Sequence, residues 1–262
     1  MIAFSEKDMQ HTSEKTPTMD SRTKDLPAHL EIRLATRLFY GVSCLAAFCL
    51  LLVFAFKICQ STQVGWMSLL GIPLGMICVD FLSGMIHWGA DTWGSESMPI
   101  LGKRLLHPFR VHHVNPADFL NRRFIDTNGD VAFLTIPGLV TALFLRIESP
   151  VSAFVAIFIA AFCGVGLMTN QIHQWAHMRT PPMPIRLLQQ TGLILSHEQH
   201  EMHHRPPHVD NYCITTGWCN RPLQAISFFS RLEKIITRIT GLQPRYDETA
   251  FTDALSDKET SK

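Results

Sequence analysis

The chain alternates between long apolar runs and polar segments, and this pattern predicts membrane-spanning helices. The run 38–56 contains no charged residue and is long enough to cross the roughly 30 Å of bilayer hydrocarbon as one helix. The whole pattern predicts four spans, at about 36–58, 64–90, 128–146 and 151–172. The polar segment 1–27 is predicted to be a disordered tail, 28–246 to be one membrane domain, and 247–262 to be a polar C-terminal tail.

Three further features of the pattern predict how the helices pack. Asp80 interrupts the second run, and because a carboxylate is costly in lipid we expect it to face the bundle interior or a polar cavity. The third and fourth runs are joined by the short segment 146–150, which makes them an antiparallel hairpin. The stretch 223–239 has apolar residues at helical spacing with basic residues between them, so it could lie on the membrane surface or pack on the domain.

Basic residues set the predicted orientation. They concentrate before the first run, in the polar segment 91–130 and in the C-terminal region, and they are sparse in 57–63 and 146–150. By the positive-inside rule, both termini and the segment 91–130 are cytoplasmic. The predicted fold class is an all-α integral membrane bundle of about four transmembrane helices, with a cytoplasmic helical cap that carries histidine motifs.

Composition agrees with a membrane protein and argues against other classes. Of the 262 residues, 47% are hydrophobic and only 17% are charged. The formal net charge of +1, without a run of Lys and Arg, gives no reason to expect a nucleic-acid partner. The seven cysteines form no C-x-x-C pair, which favours buried thiols in a reducing compartment over a disulfide framework.

Histidines are the candidate chemistry, and the predicted topology gathers them. Five of the thirteen histidines fall within 197–208, where His200 and His204 share one helical face. His173 and His177 have the same spacing past the end of the fourth run. Four groups therefore meet at the cytoplasmic side of the membrane: His87, His112 with His113, His173 with His177, and the 197–208 tract.

This convergence predicts metal binding. One zinc ion takes three or four protein ligands. The four groups offer eight candidate histidines, which is more than one zinc ion needs and suits a pair of ions. Nitrogen-rich iron sites activate dioxygen, whereas nitrogen-rich zinc sites catalyse hydrolysis. His197 and His200 are only three residues apart, so the stretch that begins at His197 does not form the H-E-x-x-H pattern of zinc proteases. A non-haem di-iron lipid oxidase is favoured, with a zinc-dependent membrane hydrolase and a non-enzymatic metal-handling protein as alternatives.

Six motifs carry a resemblance to a known family. They are HWGADTWG (87–94), PFRVHH (108–113), FIDTNGD (124–130), TNQIH (169–173), HEMHH (200–204) and CITTGW (213–218). In this order, over about 75–246, they resemble the Kua lipid desaturase family. That family includes plasmanylethanolamine desaturases, which make the vinyl ether bond of plasmalogens, with bacterial members involved in carotenoid responses. It also includes plant enzymes that act on acyl chains.

The resemblance implies two iron ions held by histidines. The implied catalytic and metal-binding residues are His87, His112, His113, His173, His177, His200, His203 and His204. His208 is an additional metal-ligand candidate, whereas His107 and His197 fall outside the family's histidine pattern. Asp91, with its carboxylate one turn after His87, is expected to orient that ligand. Candidates for the same supporting role, although such residues also cap helices, are Asp126, Asp130 and Asn170.

The implied reaction is the O2-dependent dehydrogenation of the 1-O-alkyl chain of an ether phospholipid to a 1-alkenyl (vinyl ether) chain. Such a reaction needs external electrons, so a cytochrome b5-like protein, a ferredoxin or a flavodoxin is expected to dock on the cytoplasmic face. A fatty acyl-chain desaturase or a lipid hydroxylase of the same membrane di-iron type remains an alternative.

Overall fold

The structure is a computed structural model that describes residues 31–205 and 208–245. The predicted tails 1–27 and 247–262 lie outside the described residues. The described helices are α1 (Leu34–Cys59), α2 (Gly71–Thr92), α3 (His107–Val114), α4 (Pro116–Leu120), α5 (Phe124–Leu143), α6 (Pro150–Ala176), α7 (Met183–Gln190), α8 (His197–His203), α9 (Asn220–Ala225) and α10 (Phe228–Thr240). A 3-10 helix (Trp66–Leu70) leads into α2, and a π-helical turn (Gly102–Leu106) leads into α3. These residues include no β-strand, so the all-α prediction is confirmed.

Three of the described helical segments are long and apolar enough to cross a membrane: Leu34–Cys59, Trp66–Thr92 and Pro150–Ala176. They coincide with the first, second and fourth predicted spans. The third predicted span, 128–146, corresponds to α5, which begins earlier, at Phe124. This helix is less apolar than the other three and is not among those apolar enough to cross a membrane. The physical reason is that Asp126 and Asp130 occupy the first two turns of this helix. The chain is a membrane protein with three such helices and α5 packed among them.

The helices α1 and α5 form a parallel pair. At the start of the pair, Arg37 Nε donates to Asp126 Oδ1 over 3.0 Å. Near the other end, Lys57 Nζ donates to the carbonyl of Leu143 over 2.6 Å. The contacts advance in the same direction along both helices, so α1 and α5 run side by side from the same side of the bundle.

The helices α2 and α6 form the second parallel pair, and glycine lets them approach closely. A Cβ added at Gly71 would lie 2.8 Å from the carbonyl oxygen of Phe154, and one added at Gly75 would lie 2.7 Å from that of Phe158. A side chain at either position would therefore collide with the backbone of α6. Two glycines four residues apart are a common way for membrane helices to pack backbone against backbone.

The apolar core lies where α1, α5 and α6 meet. Its buried residues are Cys44, Ala47, Phe54, Ile58, Ala132, Leu139, Ala142, Ala156, Ile157, Cys163 and Leu167. The short connection after α5 ends at Ser149, whose Oγ accepts a hydrogen bond from the backbone N–H of Ser152 and so caps α6. The predicted hairpin of α5 and α6 is therefore present.

The remaining helices build a cap on the ends of α2 and α6. In α10, Phe229 is buried against Trp88 and Tyr212, so one side of this helix packs on the domain. Ile235 and Ile239 on the same helix stay 53% and 79% exposed. One side of α10 therefore packs on the domain, as one interpretation of the 223–239 stretch expected, whereas its place on the membrane surface stays a prediction.

Candidate metal centre

Local sequence features place the histidines at the ends of helices. The helix α6 continues past its apolar run to Ala176, so that His173 lies in its last turn and His177 is its C-cap. The helix α8 starts at a capping box, in which Ser196 Oγ accepts from the N–H of Gln199 and Gln199 Oε1 accepts from the N–H of Ser196. This cap fixes the start of the helix that carries the HEMHH motif.

Five histidines form the first ligand group. One ring nitrogen from each lies within 4.8 Å of the others, and the members are His112, His173, His177, His200 and His204. The Nε2 atom of His200 is central, at 2.9 Å from Nε2 of His173, 2.9 Å from Nε2 of His177 and 3.0 Å from Nε2 of His204. The group joins α3, α6 and α8 at one point.

These short contacts fit metal ligands better than a hydrogen-bond network. A ring nitrogen has one in-plane position, which holds either a proton or a lone pair, so Nε2 of His200 cannot bond three neighbouring nitrogens at once. Two imidazoles bound to one ion at 2.0–2.1 Å have their nitrogens about 3.0–3.4 Å apart, which is close to the observed spacing. Among the described residues, no group hydrogen-bonds the buried Nε2 of His112, which also fits a nitrogen reserved for an ion.

The second ligand group combines three histidines with a carboxylate: His87, Asp91, His113 and His203. The Asp91 Oδ2 atom lies 3.2 Å from His87 Nε2, 3.2 Å from His113 Nε2 and 3.5 Å from His203 Nε2. Asp91 was predicted to orient His87 alone. Because its oxygen faces three imidazole nitrogens, the structure instead makes it a candidate ligand in its own right.

Consecutive histidines connect the two groups. His112 and His203 are followed by His113 and His204, and in each pair one residue belongs to the first group and the other to the second. Neighbouring residues on a helix are rotated by about 100°, so their side chains point to two adjacent positions. The ring centroids of His112 and His113 are 4.3 Å apart, so the two groups adjoin. The helical form of α3 is therefore what allows both residues of its pair to act as ligands.

Backbone carbonyls orient two histidines of the second group. His87 Nδ1 donates to the carbonyl of Tyr212 over 3.1 Å, and His203 Nδ1 donates to the carbonyl of Asp210 over 2.7 Å. Because a carbonyl only accepts, Nδ1 carries the proton in both rings. The lone pair is then on Nε2, which faces the group in both cases, as is usual for histidine ligands of metals.

Burial keeps the histidines of the first group neutral. Burial, reinforced by the neighbouring histidines, lowers the pKa of His112, His200 and His204 well below the ordinary value. The same cause lowers the pKa of His177 to about 3. Since a metal binds only the neutral ring, these side chains are in the required state at neutral pH.

The other predicted site residues lie around the two groups. His208 Nδ1 donates to the carbonyl of His203 over 3.1 Å, and its ring centroid is 5.3 Å from that of His113. His208 therefore flanks the second group without belonging to either group. The two histidines outside the family pattern have other partners, since His107 pairs with Glu96 and His197 donates to the carbonyl of Ala176.

Asp126, Asp130 and Asn170 were predicted to support the ligands, and here the structure corrects the prediction. Asp126 pairs with Arg37, Asp130 accepts from the Tyr40 hydroxyl, and Asn170 donates to the carbonyl of Thr127. These bonds tie α1 and α6 to α5. The acidic residues next to the third run therefore serve helix packing, and their partners are too distant in sequence to be read from a motif.

Comparison with known proteins agrees with this arrangement. A model of the lipid desaturase domain matches residues 76–247, which include both ligand groups. The chain is 43% identical over 183 residues to "Plasmanylethanolamine desaturase" of Myxococcus xanthus, a match that covers 70% of this chain and 65% of that protein. It is 42% identical over 193 residues to "Plasmanylethanolamine desaturase 1" of Mus musculus, covering 71% of each.

A plant relative is more distant. The chain is 35% identical over 191 residues to "Fatty acid desaturase 4, chloroplastic" of Arabidopsis thaliana, which covers 71% of this chain and 57% of that protein. No solved structure matches the chain.

Proposed function

The chain belongs to the lipid desaturase family, and on that footing we propose that it is a plasmanylethanolamine desaturase. The reaction would convert the 1-O-alkyl chain of an ether phospholipid to the 1-alkenyl chain of a plasmalogen. Support for this choice comes from the identity of 43% and 42% to two relatives that carry this name, in a bacterium and in mouse.

The observation that carries a redox function is the pair of adjoining ligand groups. His112, His173, His177, His200 and His204 would hold one iron ion. His87, Asp91, His113 and His203 would hold the other. A bound pair of iron ions would supply the activation of dioxygen and the removal of two hydrogens from the lipid chain.

The side chains around the ions have defined tasks in this proposal. The buried histidines of the first group stay neutral and so keep their lone pairs for metal, and the carbonyls of Tyr212 and Asp210 fix the rings of His87 and His203. Asp91 adds a negative charge that offsets part of the charge of the ions. Burial of His87, His200 and His203 at 0–1% exposure excludes bulk water from both groups.

The substrate's reacting bond fits the height of the site in the membrane. The groups lie at the ends of α2 and α6, where these helices leave the apolar part of their spans. The C1–C2 bond of an ether-linked chain lies next to the lipid headgroup, at the same level. We propose that the lipid enters sideways from the bilayer, and that both termini and the site face the cytoplasm, in line with the positive-inside rule.

The proposed reaction needs a partner that delivers electrons. One alkyl chain loses two hydrogens, one O2 becomes two waters, and the balance requires two electrons and two protons. A cytochrome b5-like protein, a ferredoxin or a flavodoxin that docks on the cytoplasmic face would supply the electrons.

A second candidate function is desaturation of a fatty acyl chain, which the name of the Arabidopsis relative suggests for that protein. The same two ligand groups would serve it, so the site does not separate the two substrates. A lipid hydroxylase would use the same ions, whereas a zinc-dependent hydrolase is less suited to a pair of ligand groups with nine donors.

The test is expression of the full chain in a host that supplies plasmanyl lipids but makes no vinyl ether. Mass spectrometry of the lipids should show vinyl ether species with the wild-type chain and none with His173→Ala. New double bonds in acyl chains alone would favour the second candidate. Equal amounts of vinyl ether with the wild type and with His173→Ala would overturn the metal-dependent proposal.

A further inference from the structure

Asp80 is a buried acidic residue that lies outside both ligand groups. It sits in α2 with 0% exposure, which confirms that it faces the bundle interior. Its Oδ1 accepts from Thr215 N (3.2 Å), Thr215 Oγ1 (2.6 Å), Thr216 N (2.8 Å) and Gly217 N (2.9 Å). Its Oδ2 accepts from Cys219 N over 2.9 Å.

These five bonds explain how a carboxylate is tolerated inside an apolar bundle. All the donors are N–H or O–H groups of one loop, so both oxygens act as acceptors, which is the role of the ionised form. Hydrogen bonds to the charged form offset the cost of burying it. In return, the buried N–H groups of the loop obtain the acceptor that they need.

The same loop reaches the second ligand group. The donors to Asp80 lie in the segment 215–219, called here the Asp80-bound segment. Shortly before it, Tyr212 and Asp210 supply the carbonyls that orient His87 and His203. The loop is thus bonded to Asp80 of α2 through residues 215–219, and it orients two ligands through the carbonyls of residues 210 and 212.

Two further contacts stiffen the segment between these ends. Ser83 Oγ accepts from the N–H of Ile214 and donates to the carbonyl of Asp80. The amide side chain of Asn220 bonds both the N–H and the carbonyl of Cys213. A displacement of the Asp80-bound segment would therefore be transmitted to Tyr212.

We propose that Asp80 is a positioning residue for the second metal ion. It holds the loop 210–219 in the one arrangement that aims the Nε2 atoms of His87 and His203 at Asp91. The two ligands that the carbonyls of this loop orient, His87 and His203, both belong to the second group. The second group should therefore depend on Asp80 more than the first does. The inference rests on the proposed two-metal site and not on the identity of the lipid.

The experiment measures metal binding by Asp80→Asn in the detergent-solubilised full chain, titrated anaerobically with Fe(II). Asparagine keeps the shape of the side chain but replaces an acceptor oxygen with a donor, which leaves at least one loop N–H without a partner. The expected result is one iron bound as in the wild type and a second bound 10–100-fold more weakly, the usual effect of removing an outer support of a metal ligand.

Asp126→Asn is the matched control. It makes the same chemical change in a buried carboxylate, but Asp126 pairs with Arg37 in the α1–α5 interface. This variant should bind both ions with wild-type affinity even where its thermal stability falls.

A second pair of variants covers the case in which Asp80→Asn does not fold. Thr215→Val removes only the hydroxyl that bonds Asp80, whereas Thr215→Ser keeps it. Thr215→Val should weaken the second iron and Thr215→Ser should restore it. Wild-type binding of both ions by Asp80→Asn or by Thr215→Val, or equal loss in Asp126→Asn, would overturn the positioning role alone. A wild-type chain that binds a single iron would overturn the two-metal proposal as well.

Discussion

The two ligand groups are neighbours, but they are built differently. The first consists of histidines alone, and four of its five members come as i, i+4 pairs on α6 and α8 and their caps. The second pairs His87 with a carboxylate, Asp91, at i, i+4 on α2, and takes one further histidine each from α3 and α8. The rings of His87 and His203 are oriented from outside the group, by carbonyls of the loop 210–212.

The geometry of the two groups therefore has different origins. In the first group, regular helix geometry alone brings pairs of nitrogens together, because residues four apart share a face. In the second, a loop more than a hundred residues from α2 must fold back before His87 is oriented. Substitutions in one group should therefore leave metal binding by the other group unchanged.

The largest effect is expected from His200→Ala, because Nε2 of His200 lies within 3.0 Å of three other ligand nitrogens. The ion of the first group should be lost and vinyl ether formation should fall by more than about 100-fold, beyond the effect of removing an outer support. Metal analysis and lipid mass spectrometry measure the two quantities. His107→Gln is the control and should keep wild-type metal content, since His107 pairs with Glu96. Retention of both ions by His200→Ala would contradict the first group.

Asp91→Asn is expected to act on the second group. The amide keeps one oxygen but loses the negative charge that faces three imidazoles, so the second ion should bind about 10–100-fold more weakly while the first is retained. Metal titration of the purified protein measures both affinities. Asp130→Asn, which alters a bond to Tyr40, should change neither. Loss of both ions in Asp91→Asn would mean that the groups are not separable.

A smaller effect, on stability alone, is expected from Gly129→Ala in α5. A Cβ at Gly129 would collide with the Tyr40 ring, and such overpacking costs about 1–3 kcal/mol in the free energy of unfolding. Gly138→Ala in the same helix meets nothing within 4 Å and should cost nothing. Denaturant unfolding in micelles measures the difference. Metal bound per folded chain should be unchanged in both variants, and a change would couple the scaffold to the site.

The smallest effect concerns the pH dependence of the metal-free protein. His177 has a folded pKa of about 3, whereas an unfolded histidine titrates near 6.5, so the unfolded state gains a proton first as the pH falls. The free energy of unfolding should therefore fall below pH 6.5, by at most about 2 kcal/mol for this histidine at pH 5. His177→Gln should flatten that fall.

The matching substitution in the second group should flatten it less. Burial lowers the pKa of His203 too, but the hydrogen bond with Asp91 acts in the opposite direction. Thermal unfolding of His177→Gln and His203→Gln at pH 7 and pH 5 compares the groups directly. Equal slopes in the wild type and in His177→Gln would contradict the neutral, buried state of His177.

Much of the architecture could be predicted from sequence because it depends on local regularities. The apolar runs predicted the three helices that are long and apolar enough to cross a membrane. The i, i+4 spacing of His173 with His177 and of His200 with His204 predicted two pairs of ligands in the first group. The exception is α5, in which the two acidic residues of the first turns make the helix less apolar than its C-terminal half suggests.

The residues that sequence reasoning misplaced depend on distant partners. Asp126 and Asp130 looked like supports of the metal site but pair with Arg37 and Tyr40, which are 89 and 90 residues away. The interior position of Asp80 followed from the cost of a charge in lipid, whereas its partners on the loop 215–219 did not. Backbone carbonyls, such as that of Tyr212, carry no signal in a sequence at all.

The most direct test of the two-metal site is a count of metal ions in the purified wild-type chain, made together with X-ray absorption at the iron edge. The two ligand groups predict two irons per chain, bound mainly by nitrogen with a smaller contribution from carboxylate oxygen. One iron per chain, or zinc in place of iron, would contradict this prediction.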